Sequence, residues 1–151
     1  MTFIETPGED TASGATAELF ASERARLGYV PNYVRLFALR PGVYAAWRQL
    51  VGAITDGMDE RRYELATVAA ASRLRSSYCT LAHGKALADR FLEPAVVRDV
   101  VVDRHAAGLD EIELAVMDLA EKVVDDATAV IPADIHRLGG DGASLTPHRL
   151  A

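Results

Sequence analysis

The stretch Asp59-Glu-Arg-Arg-Tyr-Glu64-Leu-Ala-Thr-Val-Ala-Ala-Ala-Ser-Arg-Leu74 decides the fold class. Asp59 is a natural helix N-cap, because its carboxylate can accept from a free N–H of the first turn. No Gly or Pro interrupts the residues that follow, and Ala, Leu, Arg and Glu all favour helix. The run Leu65–Ala71 is small and apolar, which suits close packing between helices. Nowhere in the chain do Val, Ile, Thr and aromatics alternate with polar residues for long enough to suggest a strand. The spacing predicts an all-α protein.

The same reading extends in both directions. Upstream, Ala15–Leu27 reads as a helix anchored by Leu19 and Phe20 and stopped by Gly28. A turn at Gly28-Tyr-Val-Pro-Asn32 feeds a short helix near Tyr33–Leu39. Pro41 then opens a helix to about Thr55, with Val43, Ala46, Trp47, Leu50 and Ile54 on one face. Downstream, Ser76 or Ser77 caps a helix running to about Phe91. Pro94 opens a short helix through Val97 and Val100. Asp110 caps a helix with Ile112, Val116, Leu119, Ala120 and Val123 on one face, and Pro132 opens a last short one. Residues 1–14 read as a flexible arm, 15–138 as the helical domain and 139–151 as an irregular Gly-rich tail.

Composition excludes several classes. The 151 residues fit one domain, half of them apolar and a quarter charged, with a net charge of −6. Acids and bases are interspersed, so the cationic footprint that nucleic acid requires is missing. No apolar run reaches the ~18–20 residues of a spanning helix, and no membrane partner is expected. The start Met1–Asp10 has neither a basic region nor an apolar run of the kind that opens a secretory signal. The single cysteine, Cys79, excludes an internal disulfide and fits a reducing cytoplasm.

Cys79 and His83 are four residues apart on a predicted helix, and so share a face. Cys79 lies three residues after the candidate cap Ser76, where the helix dipole and free N–H groups favour a thiolate. His83 is placed to exchange a proton with it. Glu64, on the preceding helix, could orient the imidazole if the two helices pack antiparallel. Nucleophile, base and orienting acid form the general arrangement of an activated nucleophile. Each residue also has a plain structural reading. Cys79 could be a buried small hydrophobe, His83 a hydrogen-bonded helix residue, and Glu64 a solvent-facing carboxylate. Arg61 and Arg62 read as a solvated helix end, and Glu111, Glu113 and Glu121 as an exposed face.

Glu64, a twelve-residue step, then Ser76-Ser-Tyr-Cys79-Thr-Leu-Ala-His83 resembles the motif of the alkylhydroperoxidase D (AhpD)-like and carboxymuconolactone decarboxylase superfamily. Gly28-Tyr-Val-Pro-Asn-Tyr-Val-Arg-Leu-Phe-Ala-Leu-Arg-Pro41 and Leu114–Lys122 leading to Pro132-Ala-Asp are similar to its peroxidase-related branch. The resemblance covers roughly residues 19 to 138. It implies a bundle of about six to seven helices that assembles into homo-oligomers. It also implies that the residue matching Cys79 attacks the peroxide oxygen. The residues matching His83 and Glu64 would relay protons to it, with Tyr78 lining the pocket. No metal, haem or flavin is implied, because the sulfur carries both electrons.

The sequence departs from that pattern at Ser76, where the family's resolving cysteine stands. A hydroxyl cannot return a sulfenic acid to the thiol through a disulfide. An external thiol reductant would then be required for any hydroperoxide substrate. The decarboxylase branch suggests a second reading, a lyase or isomerase acting on a small organic acid through His83 and Glu64. A redox sensor without turnover is a third. A second departure is that family members continue past the Pro-Ala-Asp region with another helix pair, whereas here Gly-rich sequence leads to Ala151. The resemblance then implies uncovered apolar surface and an oligomer interface.

Overall fold

In a computed structural model the chain is described over residues 3–139. It is all-α, with eight α-helices and no strand among those residues. Six or seven helices were expected; two of the eight, α2 and α8, are only six and five residues long. The helices divide between two compact units, residues 1–56 and 57–151.

The first unit holds α1 (Gly14–Leu27), α2 (Asn32–Phe37) and α3 (Pro41–Thr55). Gly28 ends α1 in the left-handed conformation, φ 81°, and its N–H bonds the Arg24 carbonyl at 2.8 Å. That conformation favours a residue without Cβ. The core is Phe20, Val30, Val34, Ala38 and Tyr44, flanked by Tyr33, Phe37 and Trp47. Phe37 stacks on Trp47 at 5.3 Å, and Tyr33 meets Trp47 edge-on at 6.1 Å. Such pairs add about 0.5–1.5 kcal/mol beyond their burial. Within the expected N-terminal arm, Glu9–Thr11 form a short 3-10 turn, and the Glu9 carboxylate pairs with Arg24 and Arg35.

Glu23 is buried in this unit, beneath Tyr44 and Arg26. The Tyr44 hydroxyl donates to Glu23 Oε1 at 2.8 Å, and Arg26 pairs with Oε2. Burial opposes the Glu23 charge, but the bonds from Arg26 and Tyr44 outweigh it and hold the carboxyl below its ordinary range. The same burial, reinforced by the bond to Glu23, pushes the Tyr44 hydroxyl well above the usual tyrosine range.

The α3 helix forms over the expected residues, but its apolar stripe is not the buried side. Val43, Leu50 and Ile54 are exposed, and the unit is anchored instead by Tyr44, with Trp47 half-buried. Periodicity shows which residues share a face. Which face is covered depends on where the aromatic cluster of α2 sits.

The second unit holds α4 (Glu60–Arg73), α5 (Ser77–Arg90), α6 (Pro94–Asp103), α7 (Glu111–Asp126) and α8 (Pro132–His136). The α4 helix packs along both α5 and α7. Leu65, Val68, Ala69, Leu87, Val97, Val100 and Met117 form the core. Asp59 caps α4 by accepting from the Arg62 N–H at 2.9 Å. The end of α4 is a Schellman motif: Ser76 N–H bonds Ala71 O at 2.9 Å and Arg75 N–H bonds Ser72 O at 3.0 Å. Arg75 takes the left-handed position, φ 55°, that Gly usually fills. This tight reversal folds α5 back against α4.

Two expectations are corrected in α7. Its buried residues are Glu113, Ala115 and Met117; of the expected stripe, Ala120 packs against the core, Ile112, Val116 and Leu119 are half-buried, and Val123 is exposed. Glu113 is buried, not part of an exposed face. Its side chain closes a capping box with Asp110 and receives Arg61. Arg61 is accordingly a tie between α4 and α7, not a solvated helix end. Glu121 is also engaged, by Arg104 at 2.7 and 2.8 Å. A carboxylate with such partners can leave solvent at far lower cost than a bare one. Of the expected tail, residues 140–151 lie outside the described residues.

Candidate active site

The α4–α5 hairpin sets the geometry of the site. Glu60 and Glu64 are one turn apart on α4, and His83 and Arg90 are two turns apart on α5. Because the helices run antiparallel, the four side chains meet as rungs. His83 Nδ1 lies 2.6 Å from Glu64 Oε2. Arg90 donates through Nη2 to Glu64 Oε1 at 3.0 Å and through Nη1 to Glu60 Oε2 at 2.8 Å. Glu64 is only 7% exposed, on the same helix as the core residues Leu65 and Val68, so its solvent-facing reading is excluded. Both of its oxygens have a donor, which makes burial of the carboxylate affordable. Tyr63 presents a ring edge-on to the imidazole at 6.3 Å.

With Nδ1 donating to the carboxylate, Nε2 is the nitrogen left to take up or release a proton. Arg90 is the residue that the sequence reading missed. Its distance of seven from His83, two helical turns, was the available signal.

Cys79 is a free, exposed thiol in the first turn of α5, one turn before His83. It is therefore not a buried hydrophobe. Among the described residues no hydrogen bond joins Sγ to His83, so the structure brings Glu64, His83 and Arg90 together and leaves the thiol beside them. Ser76 occupies the N-cap position of α5, half-buried, and its hydroxyl makes no capping bond. The first-turn N–H groups near Cys79 thus lack a side-chain cap. Tyr78 is 43% exposed. Among the described residues no group of three or more His, Cys, Asp or Glu is arranged to hold a metal ion. No described helix is long and apolar enough to cross a membrane.

No family model matches the sequence, and no curated protein matches it significantly. Solved structures do. One is the alkylhydroperoxidase AhpD core of an uncharacterized peroxidase-related protein from Ralstonia eutropha JMP134, with TM-score 0.79 and 24% identity over 93% of this chain and 78% of that one.

The chain has the AhpD-core fold.

A second structure with this fold, an uncharacterized peroxidase-related protein from Silicibacter sp. TM1040, has TM-score 0.78 and 24% identity over 90% of this chain and 73% of that one. The AhpD-core fold accounts for the all-α architecture read from the sequence.

Proposed function

We propose that this is an AhpD-like, thiol-dependent hydroperoxide reductase with one redox cysteine. The observation that carries the reading is the 2.6 Å contact between Glu64 and His83, one turn from an exposed Cys79. The Cys79 thiolate attacks one oxygen of the O–O bond. A sulfenic acid forms on Sγ, and the other oxygen leaves as an alcohol after taking a proton from His83. Glu64 orients the imidazole, and Arg90, itself paired with Glu60, positions Glu64. An external thiol then condenses with the sulfenic acid, releasing water. A second thiol displaces the mixed disulfide and restores Cys79. Ser76 supplies a hydroxyl, not a second sulfur, which is why the reductant must come from outside. The apolar side chains exposed on α3, Val43, Leu50 and Ile54, support a homo-oligomer.

One observation favours a second reading. The His83–Glu64 pair is complete without the thiol, as acid–base chemistry of the decarboxylase type would need. Consumption of an organic hydroperoxide in excess dithiol, beside Cys79→Ser and His83→Ala, separates the two. Turnover lost in Cys79→Ser supports the peroxidase. No peroxide consumption by the wild type sinks it. Lyase or isomerase turnover on a lactone acid that survives Cys79→Ser but not His83→Ala would establish the acid–base reading.

A further inference from the structure

The first unit contains a cleft of about 570 Å³ between α1 and α3. Its volume lies in the range of small-molecule sites, roughly 300–1,000 Å³. Leu19, Pro41 and Ala45 give it an apolar wall, and buried Glu23 and Tyr44 form its base. The base is electrostatically closed: Tyr44 occupies one oxygen of Glu23 and Arg26 the other. Arg48 is different. It lines the cleft one turn beyond Tyr44, is exposed, and makes no hydrogen bond or ion pair among the described residues. Its charge nevertheless reaches the buried base, where it helps hold Glu23 ionised.

An uncommitted guanidinium beside an apolar wall suits an acid with a hydrocarbon body. A guanidinium fork takes a carboxylate through two parallel N–H bonds, and the wall takes a hydrocarbon body. A multiply charged phosphate fits less well, because Arg26 is already engaged and one free guanidinium faces it. Glu18 on α1 also lines the cleft, exposed and without a hydrogen bond or ion pair among the described residues, so a bare cation would find a carboxylate there but would be repelled by Arg48.

We propose that the α1–α3 cleft binds a small amphipathic monocarboxylate, with its carboxylate on Arg48 and its apolar part against Leu19, Pro41 and Ala45.

The test is titration of the full-length protein with sodium hexanoate and sodium benzoate, followed by amide chemical shifts. Hexanol and benzyl alcohol serve as uncharged counterparts. Saturable shifts confined to α1 and α3 are expected, with a Kd of about 1 mM for ligands of this size. Arg48→Gln should weaken the acids about tenfold and leave the alcohols unchanged. Ala45→Phe, which fills the cleft from its apolar side, should abolish both. Unperturbed spectra away from α3 would show that the variants fold. Absence of saturation, equal affinity in Arg48→Gln, or shifts centred on the second unit would each overturn the proposal.

Discussion

Leu87→Ala tests whether the core of the second unit is what holds the site together. Leu87 is fully buried and lies one turn beyond His83 on α5. The substitution removes about three carbon groups at ~0.8 kcal/mol each, roughly 2.4 kcal/mol of transfer free energy. A residual cavity adds roughly 24 cal/mol per Å³ to the extent that α4, α6 and α7 do not close on it. The expected loss is about 3–4 kcal/mol, near the middle of the range for buried Leu→Ala changes. With a urea m-value of about 1–3 kcal/mol/M, the midpoint falls by roughly 2 M.

Leu81 provides the control. It is on the same helix but 73% exposed, so Leu81→Ala should stay within about 0.5 kcal/mol of wild type. Helical circular dichroism in urea reads both variants. The imidazole Nδ1 proton of His83, followed by NMR, should exchange faster in Leu87→Ala, because the floor beneath the Glu64–His83 contact is loosened. A loss under about 1 kcal/mol for Leu87→Ala, or an equal loss in Leu81→Ala, would refute the assignment of the core.

Tyr44→Phe keeps the aromatic packing and removes one hydrogen bond to a buried carboxylate, a cost of about 1.5–3 kcal/mol at neutral pH. The hydroxyl's raised folded pKa means its stabilisation is present below the unfolded value of about 10 and is lost as pH rises beyond it. The stability gap between wild type and Tyr44→Phe should therefore narrow above about pH 10; a gap unchanged there would count against the bond to Glu23. For Glu23 the sign is opposite. Its lowered folded pKa gives stability that is present at neutral pH and lost as pH falls below about 4.3, so Glu23→Gln should narrow its gap to wild type in acid, read by urea midpoints. Arg75→Gly should stabilise the protein by about 0.5–1 kcal/mol, because Gly takes the left-handed position without a Cβ clash. A lower melting temperature for that variant would show that the Schellman turn is not strained by Arg75.

The helices were legible because their signals are local. Asp59 and Asp110 cap as expected because an Asx side chain reaches its own first turn. Pro41, Pro94 and Pro132 open helices because proline's missing donor is no loss there. The end of α4 was less plainly marked, since Arg75 rather than Gly holds its left-handed residue. The candidate site was legible as spacing: Cys79 and His83 one turn apart, with Glu64 on the preceding helix.

Burial and pairing across helices were not legible. The sequence alone leaves Glu64 open between an acid that orients His83 and a solvent-facing carboxylate, and it reads Glu113 as part of an exposed face. The tertiary structure buries both, because His83 and Arg90 reach Glu64 from α5, and Arg61 reaches Glu113 from α4. Likewise the stripe on α3 is set by helical period, while its exposure is set by where the aromatic cluster of Tyr33, Phe37 and Tyr44 closes. The amino-acid sequence by itself determined the helices, their ends and the face that Cys79 shares with His83, since these depend on neighbours within a turn or two. Only the tertiary structure decided which charges leave water, because that free energy belongs to pairs of groups from different helices.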